Sequence, residues 1–163
     1  VVSDAVETRK AVLALADYQG PVYLRLSRAP QPVVYREDME FEIGKGIVHQ
    51  DGADVTIISA GTVLHNVLRA AEMLKEQGIN ATVVDMHTIQ PIDSSLIEEH
   101  SIRGGLGSAV AEAVSAKYPV PVDILGMEGF AESGALDSLI EKYGFGPENI
   151  AMRAKKLYER KGK

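Results

Sequence analysis

Apolar residues follow a strand-like spacing and a helix-like spacing in turn along the middle of this chain. The runs 55–59 and 81–86 are short and mostly apolar, which is typical of strands buried on both faces of a sheet. Between them, apolar residues recur at helical intervals over 64–74, and Gly61 and Gly78 mark the turns at either end. A strand, a helix and a second strand in this order predict a right-handed crossover between parallel strands.

The rest of the pattern predicts further elements of both kinds. In chain order these are a helix capped by Ser3 or Asp4 and running to Asp17, a strand over 22–27, an edge strand over 43–50 turning at Asp51-Gly52, a helix capped by Thr62, a helix over 108–117, a strand over 122–127, a helix over 135–143, and a helix from Pro147 toward Arg160. The alternation predicts an α/β fold: a three-layer α/β/α arrangement around a mostly parallel sheet.

One segment departs from this alternation. A helix that opens at Asp93 is followed, after Glu98 and Glu99, directly by His100 and a glycine turn, with no strand between them. A crossover unit needs that strand. We therefore expect an empty strand position, or a spacing wider than the roughly 3.8 Å between consecutive α-carbons, between Ile97 and His100.

The chain divides into two units joined by a linker. Residues 1–28 hold a strand tail, a helix and a strand, which cannot make a sheet of useful width, so we interpret them as the end of a larger domain. Pro30 and Pro32 favour an extended linker over 29–38. Residues 39–163 form the second domain.

Composition limits the kinds of partner. The 163 residues are 45% hydrophobic, which suffices for one buried core. The net charge of -6 argues against non-specific electrostatic binding to nucleic acid or to an anionic membrane. No cysteine is present, so disulfides and thiolate sites are excluded. The chain lacks an apolar run of the roughly 20 residues that span a bilayer and lacks a signal peptide, so a cytoplasmic location is predicted.

Most candidate chemical groups have a structural interpretation that is at least as good as a functional one. Gly104-Gly105-Leu106-Gly107 could cradle a phosphate before a helix, but a tight turn is the favoured interpretation. The histidines lack metal-ligand spacing and are interpreted as surface or capping residues: His49, His65, His87 and His100. The loop carboxylates are interpreted as solvated charges: Glu98, Glu99, Glu128 and Glu132.

Several motifs resemble the C-terminal domain of transketolases. They are Gly61-Thr62 after a strand, Val84-Asp85-Met86-His87-Thr88-Ile89-Gln90-Pro91-Ile92-Asp93, the run 99–107, and Phe130-Ala131-Glu132-Ser133-Gly134. Residues 1–28 resemble the end of the pyrimidine-binding domain of the same enzymes. Deoxyxylulose-phosphate synthases and the beta subunits of 2-oxoacid dehydrogenases share this layout and stay open as alternatives, as does a non-catalytic α/β dimerisation domain.

The resemblance implies a transferase that moves two-carbon ketol units between sugar phosphates, as in the pentose phosphate pathway. Its cofactors would be thiamine diphosphate and a divalent metal, Mg²⁺ or Ca²⁺, none of them expected on this chain alone, and no residue is assigned to catalysis. The implied partner is an N-terminal thiamine-binding domain or subunit, in a homodimer or heterotetramer. Leu26-Ser27-Arg28 resembles the family's strand-end arginine, which implies that Arg28 binds the substrate phosphate.

Overall fold

A mixed sheet of three strands lies at the centre of the described chain. The computed structural model describes residues 1–93, 111, 120–127 and 132–161. Its strands are β1 (Ile47–Gln50), β2 (Val55–Ser59) and β3 (Ala81–Asp85), in the spatial order β1-β3-β2. β2 runs parallel to β3, and β1 runs antiparallel to β3 at the other edge. The predicted α/β fold is confirmed.

Four helices are described: α1 (Ala5–Ala16), α2 (Leu64–Glu76), α3 (Leu136–Lys142) and α4 (Pro147–Lys161). Each was predicted from the sequence, with bounds that differ by a few residues. α2 forms the crossover between the parallel strands β2 and β3, as expected. No helix among the described residues is long and apolar enough to cross a membrane.

The core forms where α2 meets α4 and the sheet. Leu64 and Leu74, near the two ends of α2, have no solvent exposure. The buried apolar cluster draws on α1, α2, α4, the linker and the sheet: Val6, Tyr35, Leu64, Val67, Ala70, Ala71, Leu74, Ile79, Ala81, Val83, Ile150, Ala151 and Ala154. Residues from both predicted units therefore share one core.

The turn after β1 carries the chain across the start of β3. A Cβ atom added at Gly52 would lie 2.6 Å from main-chain atoms of Asn80 and Ala81, so only glycine fits this crossing. The Gly52 amide donates to Thr82 Oγ1 at 2.9 Å, and that hydroxyl donates to the Gly52 carbonyl at 2.6 Å. β1 consequently pairs with β3 and not with β2, its neighbour in sequence.

The predicted cap of α2 is wrong. A 3₁₀ turn, Gly61–Val63, precedes the helix, and the capping position falls to Val63, whose side chain makes no capping hydrogen bond. Thr62 lies inside this turn, whereas a capping side chain needs the extended backbone found earlier, at Ala60. The Thr62 carbonyl instead lies 2.8 Å from Nδ1 of His65.

The predicted strand over 22–27 is absent, although these residues are described. A strand is stabilised by hydrogen bonds to a neighbouring strand, and none of the described strands pairs with this segment. Its side chains are correspondingly exposed, Tyr23 to 86%. Alternating apolar residues were therefore not sufficient to predict a strand here.

The predicted strand over 122–127 is absent for the same reason. Side-chain contacts hold the segment instead. The Arg153 guanidinium of α4 donates to both carboxylate oxygens of Asp123, at 2.6 and 2.7 Å, and to the Ile124 carbonyl at 2.6 Å. The segment between Ile97 and His100, and the predicted helix over 108–117 apart from Ala111, lie outside the described residues.

Candidate functional site

Asp4 fastens the start of α1 to the linker. As the N-cap of α1 it has extended backbone, and its Oδ1 accepts a hydrogen bond from the Glu7 amide at 2.8 Å. Its Oδ2 accepts hydrogen bonds from the amides of Val34 and Tyr35, at 2.8 and 2.9 Å. Asp4 is only 4% exposed, so its charge depends on these three donors.

A buried cluster of acidic and hydroxyl groups joins α1, the linker and β3. Glu7 and Asp85 are each 0% exposed. Oε2 of Glu7 accepts hydrogen bonds from the amide and the hydroxyl of Ser3, at 2.6 and 2.8 Å. The Tyr35 hydroxyl donates to Oδ2 of Asp85 at 2.8 Å. The cluster is closed to solvent, so it does not contact a substrate in this structure.

Because this cluster is buried, the pKa values of its acidic groups are raised. Burial raises the pKa of Glu7, and it raises the pKa of Asp85 to about 8, an effect to which the charge of Glu7 adds. Burial also raises the pKa of Tyr35, which therefore keeps its proton and donates.

The sequence interpretation missed this cluster, although two signals for it are present. Glu7 follows Asp4 by three residues, the spacing of a helix start with an acidic first turn. Asp85 ends a buried and mostly apolar strand, where a charge needs a partner. Neither signal says that the two carboxyl groups meet, because they are far apart along the chain.

Tyr35→Phe is expected to destabilise the protein by about 1 to 3 kcal/mol, because it leaves Oδ2 of a buried Asp85 without its donor. Phenylalanine keeps the ring that packs 4.7 Å from the ring of His49. Urea unfolding measures the change. The control is Tyr18→Phe, on an exposed ring beyond the end of α1, with an expected effect within about 0.5 kcal/mol. Equal losses for the two variants would contradict the assigned role of the hydroxyl.

The predicted surface position of the histidines is wrong for His87. This side chain is buried; its ring stacks on Phe41 with centroids 4.2 Å apart, and its Nδ1 lies 2.9 Å from Oγ1 of Thr88. Burial lowers the pKa of His87 to about 4. Burial also lowers the pKa of His49, whose Nε2 is buried. His100 lies outside the described residues.

The loop after β3 holds the turn before β1. Oγ1 of Thr88 accepts a hydrogen bond from the Gly44 amide at 3.1 Å, and Oδ2 of Asp93 accepts one from the Gly46 amide at 3.1 Å. Gly44 has a φ of +88°, which favours glycine. The polar residues of this loop thus have a structural role.

Arg28 lies exposed in a bend at the start of the linker. The described residues give its guanidinium no hydrogen bond or ion pair, and the loop beside it is closed by local contacts of Ser27 and Gln31 with the Ala29 carbonyl, each at 3.3 Å. Because the preceding strand is absent, the expected strand-end position is not found. Substrate binding by Arg28 stays a prediction.

The predicted solvent exposure holds for Glu132, which forms an exposed ion pair with Lys142 at 2.7 Å. The other loop groups considered from the sequence lie outside the described residues: Glu98, Glu99, Glu128 and 104–107.

A cleft of about 670 Å³ opens between α1 and residues 38–42. Its lining includes Lys10 and four carboxylates, those of Asp17, Asp38, Glu40 and Glu42. Because negative charges outnumber the single positive charge, the cleft is a poor site for a sugar phosphate. In the described part of the chain, this cleft included, no three His, Asp or Glu side chains are grouped so as to hold a metal ion.

The model of the family described as "Transketolase, C-terminal domain" matches residues 44–150. The chain belongs to this family. The match covers the sheet, α2 and α3, together with the loop after β3.

Two relatives illustrate the relationship. The chain is 41% identical to a putative transketolase C-terminal section of Methanocaldococcus jannaschii, over 93% of this chain and 52% of the relative. It is also 41% identical to one subunit of an apulose-4-phosphate transketolase of Phocaeicola vulgatus, over 93% of this chain and 53% of that polypeptide. The chain thus spans about half the length of the curated relatives it matches.

A solved structure extends the comparison to residues outside the family match. A split-gene transketolase, described as an inactive beta4 tetramer, superposes with a TM-score of 0.91 at 39% identity, over 98% of this chain and 57% of that one. The likeness therefore includes α1 and the linker as well as the transketolase C-terminal domain.

Proposed function

We propose that this chain is the C-terminal part of a thiamine-diphosphate-dependent transketolase that transfers two-carbon ketol units between sugar phosphates. In the complete enzyme the chain supplies an assembly surface and one phosphate contact. The likeness to transketolase C-terminal sections and split subunits, which continues through α1 and the linker, is the observation that carries this proposal.

The exposed apolar surface of residues 1–28 is consistent with packing against a partner domain or subunit. Large apolar side chains are exposed on α1 and on the segment after it, among them Leu13 at 59% and Tyr23 at 86%. Exposed apolar groups of this kind mark surfaces that pack against other protein. The proposed partner is the rest of the pyrimidine-binding domain, carried with the thiamine site on an N-terminal domain or subunit, in a homodimer or heterotetramer.

The described residues do not fit the metal that such an enzyme uses to bind the pyrophosphate. That metal, Mg²⁺ or Ca²⁺, needs several oxygen ligands, and the described acidic groups either bind amides and hydroxyls or are exposed. We therefore assign the cofactor and metal ligands to the partner and derive no catalytic step on this chain.

Arg28 is the group with which the chain contacts substrate in this proposal. Its guanidinium is exposed and has no ion pair among the described residues, so it is available for a phosphate. Guanidinium binds phosphate oxygens in pairs through parallel N–H donors. The local contacts to the Ala29 carbonyl on either side shape the loop that presents it.

Arg28→Ala in the complete enzyme is expected to raise the KM for phosphorylated sugars about tenfold or more, since a hydrogen-bonded charge contributes roughly 1.5 to 3 kcal/mol. Hydroxypyruvate, which carries no phosphate, should be affected little. Steady-state kinetics with both substrate types measure the difference.

The matched control is Arg25→Ala, an exposed arginine of the same segment, which should leave both KM values unchanged. Equal losses of Arg28→Ala for both substrate types, or no loss for either, would remove Arg28 from the site. Absence of ketol transfer by the complete unaltered enzyme would contradict the proposed function itself.

The alternatives predict different products. A deoxyxylulose-phosphate synthase or a 2-oxoacid dehydrogenase beta subunit would release carbon dioxide from pyruvate or another 2-oxoacid when completed by its partner. A non-catalytic dimerisation domain would turn over neither substrate class. The names of the relatives favour transketolase.

A further inference from the structure

Two buried carboxyl groups meet between α1 and β3. Glu7 and Asp85 lie within hydrogen-bonding reach of each other. Each uses one oxygen for hydrogen bonds from Ser3 or Tyr35, and the second oxygen of each, Oε1 and Oδ1 respectively, has no further donor among the described residues. Two ionised carboxylates offer only acceptors, so a hydrogen bond between them requires that one carries a proton.

We propose that Glu7 and Asp85 share a single proton, and that this proton is a pH-sensitive latch that holds α1 against β3. Without the proton, two negative charges would face each other with no solvent to separate them. The proposal concerns the chain's own folding and does not depend on the proposed function.

The proton belongs mainly to Asp85. Glu7 lies in the first turn of α1, where the helix dipole favours negative charge, and it accepts two hydrogen bonds from Ser3. Asp85 has only the Tyr35 hydroxyl on its other oxygen. Consistent with this, burial raises the pKa of Asp85 to about 8.

The other titratable groups around the pair come from four places. Asp4, at the start of α1, adds negative charge, and Tyr35 of the linker stays neutral. On β1, burial lowers the pKa of His49, which is thus neutral in the alkaline range. Burial lowers the pKa of the Val1 amino group, whose charge acts on Asp85.

The sign of the pH dependence follows from the raised pKa. The folded protein keeps a proton that the unfolded chain releases near the ordinary aspartate pKa of about 4. Stability is therefore fully present below that pH and is lost as the pH rises toward about 8, the folded pKa of Asp85. Within this window the unfolding equilibrium constant is expected to rise about tenfold per pH unit from this one proton.

Two amide variants test the latch. In Glu7→Gln the amide oxygen accepts from Ser3 and the amide nitrogen donates to Asp85 without a shared proton; Asp85→Asn is the reverse arrangement. Denaturant titrations from about pH 5 to about pH 9 are expected to show that both variants lose this tenfold step per pH unit. The control Glu72→Gln, exposed on α2, keeps the slope of the unaltered chain.

Two further measurements use the full unaltered chain, so they test the shared proton and the latch even if a variant does not fold. Infrared difference spectra across the same range are expected to show loss of one buried protonated carboxyl band. Hydrogen exchange, corrected for its intrinsic pH dependence, is expected to speed up in α1 before it does in α4.

A flat stability profile, an unchanged slope in Glu7→Gln, or the absence of the carboxyl band would overturn the shared proton. A shared proton without a faster exchange of α1 would overturn the latch.

Discussion

The 163-residue chain by itself is expected neither to bind thiamine diphosphate tightly nor to transfer ketol units. The described residues contain no group of His, Asp or Glu side chains that could hold the metal of a pyrophosphate site. They also leave the apolar surface of α1 exposed, whereas an assembled enzyme would cover it. Titration calorimetry with cofactor and magnesium is expected to show no binding in the micromolar range, and a coupled assay no turnover.

The same two assays are then repeated after the proposed partner has been added to the chain. The N-terminal domain or subunit is expected to produce both cofactor binding and ketol transfer, and to lower the exposure of Tyr23, which quenching of tyrosine fluorescence can follow. Micromolar binding of thiamine diphosphate by the isolated chain would contradict the assignment of the cofactor site to the partner.

Asp4→Ala is expected to lower the free energy of unfolding by about 2 to 4 kcal/mol. The change removes the cap of α1 and leaves the part-buried amide of Val34 and the buried amide of Tyr35 without an acceptor. Relief of repulsion with Glu7 offsets part of the loss, which keeps the figure below the sum of the three hydrogen bonds. Urea unfolding at neutral pH measures it.

Two variants separate the parts of this effect. Asp4→Asn keeps one oxygen for the helix cap but turns an amide group toward Val34 and Tyr35, so an intermediate loss is expected. Asp17→Ala, at the exposed other end of α1, should change stability by less than about 0.5 kcal/mol. A loss for Asp4→Ala no larger than that for Asp17→Ala would show that the linker does not depend on this carboxylate.

The spacing of apolar residues was enough to predict the parallel pair and its crossover helix. α2 and the two strands it connects follow from local pattern, because each buries one continuous set of apolar side chains. Asp4 was one of two capping candidates, and the geometry selects it because its side chain reaches the Glu7 amide. The edge position of β1 was also predicted correctly.

What the sequence did not predict depends on neighbours that lie far along the chain. Residues 22–27 alternate like a strand, yet strand formation requires an adjacent strand, which no local pattern reveals. The pairing of β1 with β3 depends on the close crossing at Gly52. The meeting of Glu7 with Asp85 depends on how α1 packs on the sheet, so the two acidic residues were seen separately and their contact was missed.

The hydrogen bonds of Asp4 also close the stretch from α1 to the linker into a loop. One carboxylate oxygen binds the start of α1 and the other binds Val34 and Tyr35, so the two ends of the intervening stretch are joined through a single side chain. Arg9 of α1 adds a second contact between α1 and the linker, a 2.8 Å ion pair with Glu37. Arg28 therefore lies in a loop whose two ends are held together, so its guanidinium projects from a closed loop and not from a free chain end.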